Sequence, residues 1–370
     1  MGVACGEGRF FMKGRLLLVV ASCVLSVLLG LAVSRGGKVT GVGGEGKGRA
    51  PRIGLSLDTL KEERWQRDRD TFVARAQALG AEVLVLSANS DDAQQIRDCE
   101  SLLGQSVDVL VIAPHNGEAM SKAVESAHAA RVPVLAYDRL IRGCDLDLYV
   151  TFDNVKVGRV QAEYLMKRWF GEGSGAVGKR RIARIYGAPT DNNAKMFKQG
   201  QDEVLKSYVE AGRLEVVFED WAEDWRPANA KRIVQAAISR TGVANPPEGI
   251  LASNDGTAGG AIQALLEEGL AGKVAVTGQD ADLDACKRIL AGNQVMTVYK
   301  PLKRLAGRAA ELAVDLALRR PVIARGGVDN GRKVVPTVEE DVVAVDAGNL
   351  QETVVKDGFH AADALSGVVR

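Results

Sequence analysis

From Pro51 onward, short runs of Val, Ile and Leu alternate with stretches of helical length, and this alternation limits the fold more than any other property of the chain. Residues 52–58 (RIGLSLD) form the first run; after it Trp65, Phe72, Ala76 and Leu79 fall near one helical face, and Gly80 supplies the stop. The same pattern predicts strands over 81–87, 107–113, 132–137, 182–187, 214–218, 249–253, 274–278 and 295–299. Amphipathic stretches such as 154–170, 193–209 and 228–240 lie between them. Near-continuous apolar strands separated by helices imply parallel sheets buried on both faces, because the crossover helices cover them. With 370 residues and more than eight such units, the chain exceeds one doubly wound sheet. The expected α/β fold is therefore two similar doubly wound parallel-sheet lobes, the first break falling at 151–154. The glycine-rich, charged stretch after Phe170 reads as a surface loop entering the second lobe's first strand.

The first 50 residues follow a different pattern. Arg9, Lys13 and Arg15 precede an apolar run over 16–33 (LLLVVASCVLSVLLGLAV), a positive region followed by a hydrophobic one, as in an export signal. Ala32 and Ser34 put small residues three and one positions before Arg35, which favours cleavage there. Two other readings stay open. Residues 20–23 (VASC) resemble a lipobox that would lipidate Cys23, although the apolar run continues past it, and the whole run is nearly long enough for an uncleaved membrane anchor. Residues 35–50 are rich in glycine and basic, a flexible tether without a core. Export places the folded part in the periplasm or on the outer face of the cytoplasmic membrane.

In open parallel α/β sheets, ligands bind beyond the carboxyl ends of the strands, so the residues there carry the functional information. In order they are Asp58, Asn89, Asn116, Asp138-Arg139, Asp153-Asn154, Asp191-Asn192-Asn193, Trp221 and Trp225, Asn254-Asp255, Gln279-Asp280 and Lys300. Carboxylates, amides and guanidinium groups can grip adjacent sugar hydroxyls in pairs, while indole faces cover the apolar faces of the ring. Asp and Asn also cap helices and make turns, and for Asp58, Asn89, Asn116 and Asp255 that reading is preferred. Trp65, Arg139, Trp225 and Lys300 are poor caps, which favours a ligand role for them.

Other classes of function find little support. Lys plus Arg (48) nearly cancels Asp plus Glu (47), which leaves no electrostatic argument for nucleic acid. Removing residues 1–34 leaves 45 basic against 46 acidic residues, compatible with an uncharged polyol ligand. Five cysteines without a CxxC pair and three histidines without HxxxH spacing offer no metal or disulfide framework. Cys99, Cys144 and Cys286 read as small buried hydrophobes, and His115 as a solvated loop residue. Gly173, Gly175 and Gly178 spell GxGxxG but precede a strand instead of opening a helix, so no dinucleotide site is expected. Residues 41–47 match GxxxxGK, yet Gly48 replaces the Ser/Thr that would hold magnesium. No nucleophile sits beside a base, glycoside hydrolysis needs two carboxylates at a set separation, and no helix-turn-helix headpiece precedes the lobes. The expectation is a binding protein, not an enzyme, without cofactor or metal.

Several strings carry a resemblance. They are 63–66 (ERWQ) with Arg69-Asp70, 107–112 (VDVLVI), 135–139 (LAYDR), 152–154 (FDN), 191–195 (DNNAK), Trp221 with Trp225, 252–255 (ASND) with 257–264 (TAGGAIQA), 278–282 (GQDAD), 296–301 (MTVYKP) and 355–360 (VKDGFH). On these, the chain from Pro51 to about His360 resembles the ribose/galactose-type periplasmic sugar-binding proteins of ABC transporters, and within them the D-xylose-binding kind. The resemblance implies that Trp65 and Trp225 sandwich a pyranose ring, that Arg64, Asp138 and Arg139 bind hydroxyls from the first lobe, and that Asn193, Asn254, Asp280 and Lys300 bind them from the second. It implies three crossings between lobes, near Asp153, Pro301 and Gly331. The first lobe would then comprise 52–153 with 302–330, the second 154–301 with 331–360, and 361–370 a tail. The implied partners are a monosaccharide, the transporter's membrane subunits and a chemoreceptor, for a chain acting as a monomer.

Overall fold

Two separate parallel sheets account for most of the strands. The structure is a computed structural model that describes residues 49–172 and 178–365. The expected leader, most of the tether, Gly173 and Gly175 of the loop after Phe170, and the last five residues of the tail lie outside the described residues. Among the described residues, no helix is long and apolar enough to cross a membrane.

The first sheet is built on β1 (Arg52–Leu57), with β2 (Glu82–Ser87), β3 (Val109–Ala113), β4 (Val134–Tyr137), β5 (Leu148–Phe152), β11 (Gly326–Asp329) and β12 (Val334–Glu340) in the order β11-β12-β5-β4-β3-β1-β2. All neighbours run parallel except β11, which is antiparallel to β12. Every residue of β3 and β4 is buried, as strands covered on both faces require. The second sheet has the order β7-β6-β8-β9, from β6 (Arg180–Tyr186), β7 (Leu214–Trp221), β8 (Gly249–Ala252) and β9 (Ala275–Val276). A short antiparallel pair, β10 (Thr297–Tyr299) with β13 (Val343–Val345), touches the end of β9 through a parallel bridge between Gln279 and Val298.

Helices cover both sheets. They are α1 (Glu63–Ala78), α2 (Asp92–Gly104), α3 (Ser121–Ala129), α4 (Asn154–Phe170), α5 (Asn192–Glu210), α6 (Pro227–Thr241), α7 (Asp255–Glu267), α8 (Leu283–Leu290) and α9 (Leu302–Ala317). α9 returns to the first sheet, packing on α1 and on β1, β3 and β5. Cys99, Cys144 and Cys286 are free and buried, at helix faces or loops against the cores.

Two features differ from the sequence expectation. β5, a strand that the apolar pattern did not single out, lies inside the sheet between β4 and β12 and ends at Phe152, next to the expected first break. The crossing expected at Gly331 lies later, because β12 pairs with β5 in register Thr337 to Tyr149 and keeps residues 334–340 in the first sheet. Strand alternation explains this: Val335 and Thr337 are buried while their neighbours Val334 and Pro336 are exposed, a half-covered strand one place in from the edge. The chain then passes to β13 after Glu340.

α4 and α5 cross at two glycines. A Cβ on Gly158 would lie 1.9 Å from the Phe197 carbonyl oxygen, and one on Gly200 1.9 Å from that of Val155, so the helix backbones approach as closely as they do only because both side chains are missing. This crossing carries Asn154 and Asn193 to the sheet ends, where their amides meet at 3.0 Å. Gly158→Ala is expected to destabilise the protein by about 1–3 kcal/mol through overpacking. A lowered urea midpoint with an unchanged m-value would show it, and an unchanged midpoint would mean that the helices shift apart at no cost.

Candidate functional site

The strand ends of the two sheets meet at one cavity. On the first-sheet side, β1 ends at Asp58 and the chain turns into α1, whose first turn supplies Arg64 and Trp65. Asp138 and Arg139 follow β4; Asp138 has φ 63°, held by its amide donating to the Val150 carbonyl at 2.7 Å. From the second sheet, β6 leads through Asp191 to Asn193 in the first turn of α5. Trp225 sits in a short turn over Glu223–Trp225 with Asp224 and Trp225 both at positive φ. Asn254 caps α7 through a capping box with Thr257, while Asp280 follows β9 at φ 99° and Lys300 follows β10.

The cavity has an empty volume of about 370 Å³ and is lined by Arg64, Trp65, Asp138, Arg139, Asn193, Trp225, Asn254, Asp280 and Lys300, all nine residues that the sequence had singled out. Glu62, Asp191, Phe197 and Gln279 complete the lining. Asp191 and Gln279 were visible as strand-end residues but were passed over beside their neighbours. Phe197 follows Asn193 by four residues, a spacing that puts both on one helix face. Glu62 gave no signal, because an acid at a helix start is the ordinary complement of the helix dipole.

Buried ion pairs fill the cavity floor. Arg64 Nη2 lies 2.7 Å from Asp138 and 2.9 Å from Asp68, and its Nη1 reaches Asp280 of the opposite lobe at 3.5 Å. Lys300 holds Asp280 at 3.0 Å. Arg139 bridges the lobes more tightly, with Nη1 2.7 Å from Asp58 and Nε 2.8 Å from Asp191. Asn193 donates to the backbone carbonyl of Asp138 at 3.0 Å, and the Trp225 indole N–H donates to Asp191 at 3.2 Å. Burial opposes the charge of Asp138, but Arg64, Lys300 and Arg139 outweigh it and hold the carboxyl at about 2. Burial likewise opposes the Arg64 charge, and Asp138, Asp68 and Asp280 reverse the effect, so its pKa is raised well above the ordinary value. For Asp191 burial prevails over Arg139 and the pKa is raised.

Aromatic faces flank this polar floor. The Arg64 guanidinium lies 4.2 Å and that of Arg139 5.0 Å from the Trp65 ring. The Trp225 ring meets Phe197 edge-on at 6.3 Å and lies against Gly187, where a Cβ would come within 2.0 Å of the indole. Glycine at 187 is what admits the indole to the cavity wall.

The residues read as turns and caps fall outside the cavity lining. Asn116 accepts from the Glu118 and Ala119 amides, and Asn89 sits at φ 53° in a turn. Asp58 is a partial exception, since it fixes Arg139. His115 differs from the sequence reading: it is not a solvated loop residue but lies between Asp92, at 2.6 Å, and Asp224 of the turn that carries Trp225, at 3.3 Å. Among the described residues, no group of three or more His, Cys, Asp or Glu is placed to hold a metal ion.

Two similar lobes that meet at a polar, aromatic-walled cleft define a class of protein that encloses a small ligand. The comparisons specify it further. Residues 53–320 match the model of the periplasmic binding protein domain, so the chain belongs to the periplasmic binding protein family, a family of binding proteins rather than enzymes. It is similar to the D-xylose-binding periplasmic protein of Haemophilus influenzae, at 47% identity over 85% of this chain and 92% of that one. The Escherichia coli protein of the same name is 46% identical over the same shares. Among solved structures, a carbohydrate transporter solute binding protein from Chloroflexus aurantiacus in complex with D-glucose superposes with a TM-score of 0.79 at 31% identity, covering 86% of this chain and all of that one.

Asp255 lies just behind the cavity and links the second sheet's strand ends. Its carboxylate accepts from Gln294 at 2.8 Å, from Thr297 at 2.9 Å and from the Asp282 amide at 3.0 Å. Burial, then the neighbouring charge of Asp280, pushes its carboxyl up from 3.8 to about 7. Between those values the folded protein holds a proton that the unfolded chain releases, so this group's contribution to stability is present below pH 3.8 and is lost as pH rises to about 7. Asp255→Asn stays neutral throughout. The difference in unfolding free energy between variant and wild type is expected to move in the variant's favour from pH 4 to 7 (about the two pKa values). A difference that urea titrations find constant with pH would contradict the assignment.

Proposed function

We propose that this chain captures a monosaccharide, D-xylose, by closing its two lobes around it outside the cytoplasmic membrane, and delivers it to the membrane subunits of an ABC transporter. The observation that carries the reading is the cavity itself: paired carboxylate, amide and guanidinium groups from both sheets converge on one space, with Trp65 and Trp225 in its wall. Such groups bind the hydroxyls of a sugar, and the indoles bind its C–H faces. The similarity to two proteins named for D-xylose binding supports that sugar among the monosaccharides. In this reading Arg64, Asp138 and Arg139 bind from one lobe and Asn193, Asn254, Asp280 and Lys300 from the other.

Closure follows from the divided site. A ligand that touches both lobes gains its full set of bonds only when they meet, so it shifts the population toward the closed form. The membrane subunits, and a chemoreceptor where one is present, would read that closed form. The name of the relatives supports a periplasmic location. A cleaved leader ending at Ser34 accords with it.

Calorimetric titration with D-xylose, ribose, galactose and glucose tests the function directly. D-xylose is expected to bind most tightly, and binding of none of the four below millimolar concentration overturns the reading. Trp225→Ala is expected to weaken D-xylose binding by about tenfold or more with the fold retained, the loss of one buried aromatic contact; an unchanged affinity would remove Trp225 from the site. Mass spectrometry of the exported protein is expected to find Arg35 at the N-terminus. A lipid on Cys23 or an intact leader would exclude that cut.

A further inference from the structure

Glu62 stands apart from the other carboxylates of the cavity. Asp138 is paired with Arg64 at 2.7 Å, Asp191 with Arg139 at 2.8 Å and Asp280 with Lys300 at 3.0 Å. Glu62 Oε2 is buried, yet it has no hydrogen-bond partner in the structure. The residue precedes the first turn of α1, its side chain makes no capping bond to the helix, and it lies just outside the ERWQ string that opens the resemblance. It lines the sugar cavity and also an adjoining recess bordered by Lys61, Asp282 and Arg288, so it forms part of the wall between the two.

A buried oxygen without a donor is costly, and in a native fold it calls for a specific account. Helix capping and the ion-pair network do not provide one. A hydroxyl donor from the occupant of the cavity does. We propose that Glu62 is a specificity-determining residue of the cleft: its Oε2 accepts a hydrogen bond from one hydroxyl of the bound monosaccharide. This rests on the sugar-binding reading and adds to it a contact outside the motifs that suggested it.

The contact gives selectivity as well as affinity. A sugar without that hydroxyl leaves the carboxylate buried and unpaired, and a site built to bond a hydroxyl rejects such analogues far more strongly than a merely apolar pocket does.

The test is a calorimetric comparison of wild type, Glu62→Leu and Glu62→Gln with D-xylose and its monodeoxy analogues. Wild type is expected to disfavour every analogue. Glu62→Leu is expected to bind D-xylose about tenfold more weakly or worse, while binding one analogue as wild type does, so that discrimination at that one hydroxyl collapses. Glu62→Gln keeps an acceptor oxygen of the same reach and is expected to recover part of it. Where the melting temperature shows that Leu is not tolerated, Glu62→Ala takes its place. Wild-type affinities across the whole sugar set in the Leu or Ala variant overturn the inference, and so does an equal loss for every sugar, which marks a change in packing instead of a lost contact. A wild type that binds D-xylose but not the pattern above fails this inference alone; a wild type that binds no sugar fails the reading of the cleft itself.

Discussion

The buried charges at the meeting of the two sheets are the constraint on which the rest of the site depends. Arg64, Arg139 and Lys300 are almost fully withdrawn from solvent, and such groups are tolerated only when paired and hydrogen-bonded. Their partners come from both sides: Arg64 joins Asp68 and Asp138 to Asp280, and Arg139 joins Asp58 to Asp191. Removing one member would strand another, at a cost of about 3–5 kcal/mol for a broken buried pair. The network therefore dictates where the strands end, which turns follow them and how the lobes abut. The positive φ at Asp138 and Asp280 belongs to the same requirement, since each turn aims a carboxylate at a cation.

A floor of this kind suits a neutral polyol. Its charges already satisfy one another, so they present oriented donors and acceptors without demanding a counter-charge from the ligand. The aromatic wall supplies what charges cannot, a surface for the apolar faces of a ring. In the proposed reading of Glu62, specificity resides in the polar atoms that the network leaves without a partner. Besides Glu62, the amide oxygen of Gln279 is buried in the lining without a partner.

How far the sequence disclosed this depends on the kind of signal. α4 ends where its amphipathic stretch ends, and β3, β4 and β8 lie within the expected apolar runs, because buried parallel strands carry an unmistakable hydrophobic block; the half-buried edge strand β2 carries enough of one to be found as well. β12 was hidden by its position: a strand near the sheet edge with Pro336 and an exposed Val334 resembles a connecting loop. The cleft residues were legible because chemistry at strand ends has a known address in this architecture. Glu62 and the bridging role of His115 were not, since each depends on which group the opposite lobe brings near, and no local pattern encodes that.

The return of the chain to the first sheet also orders its assembly. That sheet needs β1 to β5 from residues 52–152, the cover of α9, and then β12 up to Glu340, with the whole second sheet formed by segments in between. Its interior strand β5 has one long flank that stays open until nearly all of the chain is present. A nascent or translocating fragment thus carries an incomplete lobe with an unpaired strand edge, a slow, non-local closure that keeps the chain pliant until its last tenth arrives.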